Sequence, residues 1–198
     1  MKRIALSTLA ALAAPFAVLS AGCASSPPSQ FYRLTAVEPA AAARTGGSGG
    51  ASVIVAAVHI PFALDRQEIV RTGPGNELEI SGFKRWGAPL DEMIQRVLTQ
   101  DLIERLPAGT VVLPSGPTPA ATERIVVDIL AFQSDTDGNV TLEGSWSLLA
   151  PGASAPALIR GIDEVEPASA TDFNRQAAVM SQMLGRLADD IARSLPHR

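Results

Sequence analysis

The stretch IVVDILAFQSDTDGNVTLEGSWSLL, residues 125–149, contains two apolar, β-branched runs separated by a short polar segment. In the second run apolar side chains alternate with polar ones, which is typical of a strand with one buried face. The apolar members of this alternation are Val140, Leu142, Trp146 and Leu148. The intervening Asp-Thr-Asp-Gly-Asn, residues 135–139, is rich in residue types that tolerate positive φ. We therefore predict an antiparallel hairpin with strands at 125–134 and 140–149.

A third strand is predicted at residues 158–166, which would complete an antiparallel meander. Its apolar residues alternate poorly, and it carries the charge run Asp163, Glu164 and Glu166. Charged side chains are common on edge strands, where they discourage pairing with other chains. We interpret this segment as a solvated edge of the sheet.

Residues 87–106 have the spacing of an amphipathic helix. Pro89 suits the first turn of that helix, where its missing N–H is not needed, and Pro107 ends it. The apolar stripe consists of Leu90, Met93, Ile94, Val97, Leu98, Leu102 and Leu106, and polar residues such as Arg105 cover the rest.

A second long helix is predicted at residues 172–195, with Thr171 as its N-cap. Its apolar residues recur at spacings of three and four, which defines one apolar face. They are Phe173, Ala177, Met180, Leu184, Leu187 and Ile191. We interpret this face as packing on the sheet, and a partner-binding face is the alternative.

Further strands are predicted nearer the N-terminus, at residues 30–35 and 52–60, with a hairpin of strands 68–71 and 77–80 around Thr-Gly-Pro-Gly-Asn. Together the elements predict an α/β (α+β) two-layer sandwich, with a mostly antiparallel sheet and two long amphipathic helices on one face. Residues 30–198 would form one domain, in which the low-complexity residues 38–51 are a flexible loop.

The first 22 residues have the three parts of a secretory signal peptide. Lys2 and Arg3 precede an uncharged run, residues 4–19, which is interrupted by Pro15 and is too short for a spanning helix of about 20 residues. The run ends Leu-Ser-Ala-Gly-Cys at Cys23, which is similar to a bacterial lipobox.

Such a sequence predicts attachment of diacylglycerol to the Cys23 thiol, which is the nucleophile that the reaction needs, and cleavage of the chain between Gly22 and the lipidated Cys23. Residues 23–29, Cys-Ala-Ser-Ser-Pro-Pro-Ser, would then be a lipidated tether to a membrane. Ala24, which is not Asp, favours the outer membrane by resemblance to lipoprotein sorting in enteric bacteria. The alternative is an ordinary signal peptide that is cleaved nearby and leaves a free cysteine.

Composition excludes several classes of function. The formal net charge is −4, which argues against binding to nucleic acid. The single cysteine excludes an internal disulfide and a thiolate metal cluster. Asp135, Asp137 and Asn139 resemble the start of a calcium loop, but the glycine at the sixth position and the glutamate at the twelfth are missing. We expect no metal and no cofactor.

Catalytic groups are hard to assemble from this sequence. Its two histidines are His59, in an apolar strand, and His197, next to the C-terminus. The Gly-x-Ser-x-Gly spacing at residues 46–50 lies in the low-complexity segment 38–51 and not between a predicted strand and helix, so it is no nucleophile elbow. No phosphate-binding loop is present in the sequence. We therefore expect no catalytic residues and no enzymatic activity, and a periplasmic hydrolase is the least favoured class.

Lys84-Arg85-Trp86, just before the first helix, has two interpretations. Arg85 and Trp86 together are typical of an interface anchor or a cation–π pair, which favours a partner-binding site. Alternatively, Trp86 covers the core and the two basic side chains are solvated.

Three segments carry a resemblance to a known family. They are Phe31-Tyr32-Arg33-Leu34, residues 64–70 (LDRQEIV) with Leu78-Glu79-Ile80, and Arg85-Trp86-Gly87-Ala88-Pro89-Leu90 opening a helix that ends LIERLP. In these the chain resembles the ABC-type transport auxiliary lipoproteins, the PqiC/YmbA-like group. That family often has an acidic residue before the Arg-Trp pair, where this chain has Phe83-Lys84.

The resemblance implies a non-catalytic periplasmic domain anchored in the outer membrane through lipid on Cys23. Its implied partners are a protein with MCE (mammalian cell entry) domains and an ABC permease with its ATPase, in a system that moves lipids or other hydrophobic molecules between membranes. It also implies docking at the far end of that conduit, and it allows a homo-oligomer. The alternative from another class is an envelope-assembly lipoprotein that binds or activates a cell-wall or outer-membrane biogenesis complex.

Overall fold

The structure, a computed structural model, describes residues 27–39 and 52–195. These residues form seven strands and two helices. In chain order they are β1 (Gln30–Tyr32), β2 (Val53–His59), β3 (Glu68–Thr72), β4 (Leu78–Trp86), α1 (Leu90–Arg105), β5 (Glu123–Asp135), β6 (Asn139–Leu149), β7 (Leu158–Pro167) and α2 (Phe173–Ser194).

All seven strands belong to one mixed sheet with the order β1-β4-β3-β5-β6-β7, and β2 also pairs with β5. The long ladders are antiparallel: β5 with β6, and β6 with β7. The predicted meander is therefore confirmed, as is the fold of a mostly antiparallel sheet with two helices. Three shorter pairings are parallel, namely β1 with β4, β2 with β5 and β3 with β5. Because β5 is 13 residues long, its one edge accommodates β2 near Glu123 and β3 near Asp135.

The core lies between the sheet and the two helices. Along β6, Val140, Leu142 and Trp146 are fully buried, as the alternation predicts. The apolar face of α2 is also buried, so packing within the domain is the correct interpretation of that face. The fully buried apolar residues of α2 are Met183, Leu184, Ala188 and Ile191. Neither helix of the described residues is apolar enough over a sufficient length to span a bilayer.

The predicted N-cap of the second helix is wrong by one residue. Asp172, not Thr171, caps α2, and its carboxylate accepts hydrogen bonds from the backbone N–H groups of Asn174 (2.9 Å) and Arg175 (3.1 Å). A carboxylate satisfies two otherwise unpaired N–H groups and also interacts favourably with the helix dipole. Asp172 therefore offers the stronger cap of the two neighbours.

The turn at residues 135–139 is a hairpin turn, as predicted, and the Asp135 side chain stabilises it. The Asp135 carboxylate accepts hydrogen bonds from the backbone N–H (2.8 Å) and side-chain amide (2.9 Å) of Asn139. Partial burial raises the pKa of Asp135, but the hydrogen bonds from Asn139 and nearby backbone outweigh it and lower that pKa below its ordinary value. Gly138 has φ of +92°, and a Cβ there would lie 2.3 Å from the backbone of Ala170, so glycine is required.

β4 continues six residues beyond the predicted strand 77–80 and ends at Trp86. Its last three residues pair with β1, and Arg85 also pairs with Glu68 of β3. Pairing on both sides keeps this part of the chain extended, although the local sequence contains Gly82 and two consecutive basic residues.

Candidate functional site at the sheet edge

β1 forms one edge of the sheet and is the element to which the predicted tether leads. Gln30, Phe31 and Tyr32 pair in parallel with Lys84, Arg85 and Trp86. The Tyr32 carbonyl also accepts a hydrogen bond of 2.8 Å from the Gly87 N–H, just before α1. Any pull on the N-terminus is thus transmitted to this edge. The predicted signal peptide 1–22, Gly22, Cys23 and His197 lie outside the described residues.

Arg85 and Trp86 are adjacent in β4 but lie in different environments. Trp86 is 4% exposed and belongs to the core. The Arg85 side chain is 33% exposed and lies 3.4 Å from the Glu68 carboxylate, while its Nε is buried without a hydrogen-bond partner among the described residues. Glu68 of β3 thus supplies the acidic neighbour that the sequence before Arg85 lacks. A role for this pair in partner binding stays a prediction.

After β1 the chain crosses between the two helices. We call residues 33–39 the arm. Leu34 of the arm is fully buried. The Thr35 N–H donates to the Ser181 hydroxyl of α2 (3.1 Å), and the Val37 N–H donates to the Asp101 carboxylate of α1 (2.8 Å). The arm is therefore fixed to both helices immediately downstream of the tether.

A buried polar cluster holds the arm in place, and we call Asp101, Arg105, Ser181 and Asp189 the clamp. Arg105 donates from Nη1 to the Val37 carbonyl (3.1 Å) and from Nε to the Asp189 carboxylate (2.7 Å). Its side chain is 4% exposed, and that of Asp101 is 0% exposed. The two form an ion pair at 3.4 Å one helical turn apart, so the clamp links α1, α2 and the arm.

The sequence interpretation of Arg105 as a surface residue of the helix is wrong. Arg105 and Asp101 continue the apolar stripe from Val97 at spacings of four residues, so both point into the domain. This spacing was the available signal for the clamp. It was missed because charged residues at stripe positions look like interruptions of the apolar face, and because their partner is the distant arm.

Burial affects the titration of the clamp. It raises the pKa of Asp101 from 3.8 to about 6, although the Val37 N–H and Arg105 act to lower it. Asp101 Oδ2 has no hydrogen-bond partner among the described residues, which leaves an oxygen that a proton can occupy. Burial of the ionised Asp101 carboxylate therefore lowers the free energy of unfolding.

We predict that this effect makes the free energy of unfolding depend on pH. Because the folded pKa of about 6 lies above the unfolded value of 3.8, the contribution of Asp101 is complete below pH 3.8 and is lost as the pH rises through 6. Relative to Asp101→Asn, the wild-type protein should lose about 2–3 kcal/mol between pH 4 and pH 7.5. Urea unfolding of both proteins across this range measures the difference. Parallel pH profiles would contradict the assignment.

An open groove of about 530 Å³ runs between β1 and α2, next to the point where the arm begins. Small side chains on α2 leave this space. The lining residues are Phe31, Tyr32, Arg33, Thr35, Gly87, Asn174, Ala177, Ala178 and Ser181. The groove and Arg85 therefore lie at the same edge of the sheet, because Phe31 and Arg85 are register partners.

His59, the one described histidine, lies at the end of β2. Its Nδ1 is 2.7 Å from the Asp128 carboxylate, and both side chains are more than half exposed. No serine, threonine or cysteine is hydrogen bonded to His59 within residues 27–39 and 52–195. The same part of the chain contains no group of three histidine, cysteine or acidic residues placed to hold a metal ion. The pair with Asp128 is a surface ion pair when His59 is protonated.

The chain is similar to known lipoproteins over most of its length. Residues 32–192 match the family described as "ABC-type transport auxiliary lipoprotein component". "Intermembrane transport lipoprotein PqiC" from Escherichia coli (strain K12) is 26% identical over 175 residues, which cover 84% of this chain and 92% of PqiC. PqiC from Shigella flexneri matches with the same identity and coverage.

Solved structures have the same fold. One, described only as an uncharacterized protein, superposes with a TM-score of 0.69 at 19% identity and covers 84% of this chain and 98% of its own. Protein XCC0632 from Xanthomonas campestris superposes with a TM-score of 0.66 at 19% identity, covering 83% and 93% respectively. With a family match that extends from β1 into α2, the chain belongs to the ABC-type transport auxiliary lipoprotein family.

Proposed function

We propose that this protein is a non-catalytic, lipid-anchored periplasmic accessory component of a transport system that moves lipids or other hydrophobic molecules across the cell envelope. Its partners would be an MCE-domain protein and an ABC permease with its ATPase. The observation that carries the proposal is the family match over residues 32–192, which begins nine residues after the lipobox cysteine. PqiC, a relative of similar extent, is named as an intermembrane transport lipoprotein.

In this proposal residues 1–22 are removed between Gly22 and Cys23, residues 23–29 form the lipidated tether, and residues 30–198 form the periplasmic domain. Ala24 favours the outer membrane. Three acyl chains on Cys23 would bury enough methylene groups, at about 0.8 kcal/mol each, for a stable anchor. The tether would hold the domain close to the membrane by its β1 edge, because residues 27–29 are exposed and continue directly into β1.

We propose that the partner contact lies at the same edge. Arg85 offers a guanidinium on a side chain that is 33% exposed, and Trp86 fixes the strand from the core side. An arginine held this way can form a hydrogen bond to an incoming acidic or carbonyl group at little cost in side-chain freedom. The adjoining groove provides a surface along β1 for a bound segment.

Affinity purification of the tagged, full-length lipoprotein from detergent-solubilised envelopes tests the proposal. An MCE-domain protein should co-purify, and Arg85→Ala should reduce its recovery several-fold. Arg160→Ala is the matched control, since Arg160 is an exposed arginine on β7 at the far end of the strand order. Recovery of cell-wall or outer-membrane assembly proteins without an MCE-domain protein would instead support the envelope-assembly function.

A further inference from the structure

Four large apolar side chains are exposed at the sheet edge formed by β1 and β4. Phe31 is 65% exposed, Leu78 49%, Ile80 48% and Phe83 42%. We call these four residues the edge patch. Single exposed apolar residues are ordinary on soluble proteins, but a group on neighbouring strands indicates a surface that contacts something apolar.

Residues of the same two strands mark the side of the sheet that the helices occupy. The ring of Phe173, at the start of α2, lies 6.0 Å from the Tyr32 ring and 5.6 Å from the Lys84 ammonium. Phe31 and Phe83 are the chain neighbours of Tyr32 and Lys84. Since successive side chains of a strand point to opposite faces, Phe31 and Phe83 point away from the helices.

The same reasoning places the other two residues. The Arg71 guanidinium of β3 lies 5.2 Å from the centre of the Phe173 ring, so Arg71 is on the helix side. Its register partner in β4 is Glu79, with which it forms an ion pair of 2.7 Å. Leu78 and Ile80, on either side of Glu79, therefore point to the open face. Ile80 and Arg85 are the register partners of Val70 and Glu68, which are two residues apart in β3, because the β3–β4 register shifts between them. Ile80 therefore lies on the same face as Arg85, and Phe83 lies there by alternation, so all four residues of the edge patch share the open face.

The tether leads toward this patch. β1 is parallel to β4, so the chain before Gln30 leaves the sheet in the direction of Leu78 and the turn of the β3–β4 hairpin. Cys23 lies seven residues before Gln30. At no more than 3.6 Å per residue, those seven residues reach about 25 Å at most. A lipid on Cys23 would thus keep Gln30, the first residue of β1, within that distance of the bilayer.

Charge at the patch suits a neutral membrane surface. Arg71 is paired with Glu79 and Arg85 with Glu68, while the Lys84 ammonium is hydrogen bonded to Gln30. The two ion pairs neutralise both arginines within the protein, and Lys84 is the cation that has no acidic partner among the described residues. The patch therefore carries little net charge and does not require an anionic lipid. Arg85, to which the proposed function assigns the partner contact, lies near the end of β4 opposite Leu78.

We propose that the edge patch lies against the bilayer that holds Cys23, at the boundary between headgroups and acyl chains, and that the domain docks there by the β3–β4 hairpin. This inference rests on the lipid anchor of the proposed function. It adds an orientation: the hairpin faces the membrane, and the connection between β6 and β7, residues 150–157, lies at the opposite end of the strands.

Tryptophan quenching by lipid tests this orientation. Full-length lipidated Leu78→Trp is reconstituted in phosphatidylcholine–phosphatidylethanolamine vesicles with brominated acyl chains, and wild type is measured as the background. Trp86 and Trp146 are at most 4% exposed, so brominated lipid should quench the native fluorescence very little. The control is Ile159→Trp, at an exposed position on β7. The strand pairings put Ile159 level with Val126 of β5, whereas Leu78 is level with Asp135 of β5, nine residues farther along that strand. At about 3.3 Å per residue this is about 30 Å away along the strands.

Brominated lipid should quench the added Leu78→Trp fluorescence at least twofold and leave that of Ile159→Trp unchanged. Phe83→Trp provides a second position in the patch and should be quenched in the same way. Flotation of the same sample reports the anchor independently. If the protein is bound to vesicles but neither position is quenched, the proposed membrane contact of the edge patch is wrong and the lipid anchor is still supported. If the protein does not float with the vesicles, both the contact and the anchor are wrong. A concentration-dependent blue shift of Leu78→Trp without quenching would mean that a second copy covers the patch, which also overturns the proposal.

Discussion

Cys23→Ala should abolish incorporation of labelled palmitate and remove the protein from the outer-membrane fraction, because the signal peptide is cleaved only before a lipidated cysteine. The acyl chains would supply essentially all of the membrane affinity, since neither described helix can span a bilayer and the formal net charge is −4. The edge patch alone is too small to retain the domain on a membrane. Fractionation of envelopes with a high-salt wash, together with palmitate labelling, measures both effects.

Two further variants separate lipid attachment from sorting. Cys23→Ser keeps the size of the side chain but removes the thiol, so it should behave as Cys23→Ala does. Ala24→Asp leaves the thiol in place, so labelling should persist while the protein moves from the outer to the inner membrane. Palmitate incorporation into Cys23→Ala would contradict lipidation of Cys23, and an unchanged location of Ala24→Asp would contradict only the sorting assignment.

Arg105→Met should destabilise the domain by about 3–5 kcal/mol at pH 7, the cost of leaving one partner of a buried ion pair uncompensated. Met retains most of the apolar length of the side chain, so loss of packing contributes little. The variant removes the hydrogen bonds to Asp189 and to the Val37 carbonyl, and it leaves the Asp101 carboxylate buried beside an apolar group. Urea unfolding monitored by circular dichroism measures the change.

Three comparisons isolate the clamp as the cause. Arg193→Met is the matched control, because the Arg193 side chain is 70% exposed and its ion pair with Asp190 is long, at 3.8 Å. This substitution should change the free energy of unfolding by less than about 1 kcal/mol. The double variant Asp101→Asn/Arg105→Met should recover part of the lost stability, since Asn carries no charge. The deficit of Arg105→Met should also shrink toward pH 5, where Asp101 takes up a proton. A deficit that does not depend on pH would mean that the lost hydrogen bonds of Arg105 dominate.

Local periodicity was sufficient to predict the parts of the fold that depend on local sequence. The alternation around Trp146, the turn containing Gly138 and the apolar faces of both helices each predicted the element that the structure contains. The antiparallel meander follows from short turns between consecutive strands. The parallel pairings of β1 with β4 and of β2 with β5 could not be predicted, because their partners are distant in sequence and no turn constrains their register.

In the candidate site, too, some features could be predicted from the local sequence and others depend on contacts between distant residues. Lys84-Arg85-Trp86 could be noticed from residue types alone, but strand alternation decides that Trp86 enters the core while Arg85 faces the open side. Extending the predicted strand to Trp86 would have given this result. The clamp depends on Val37, 64 residues from Asp101, so only the folded chain brings its members together.

The parallel pairing of β1 and β4 also has a mechanical consequence. Tension on a membrane anchor would act along the axis of β1, because the tether continues that strand in the direction of the hairpin turn. Hydrogen bonds perpendicular to a pulling force are sheared together, whereas an end strand that is pulled sideways loses its hydrogen bonds one at a time. The three register pairs of β1 and the bonds from Thr35 and Val37 therefore share the load. A force applied through a membrane anchor would therefore load these hydrogen bonds together and would not separate β1 from the sheet one bond at a time.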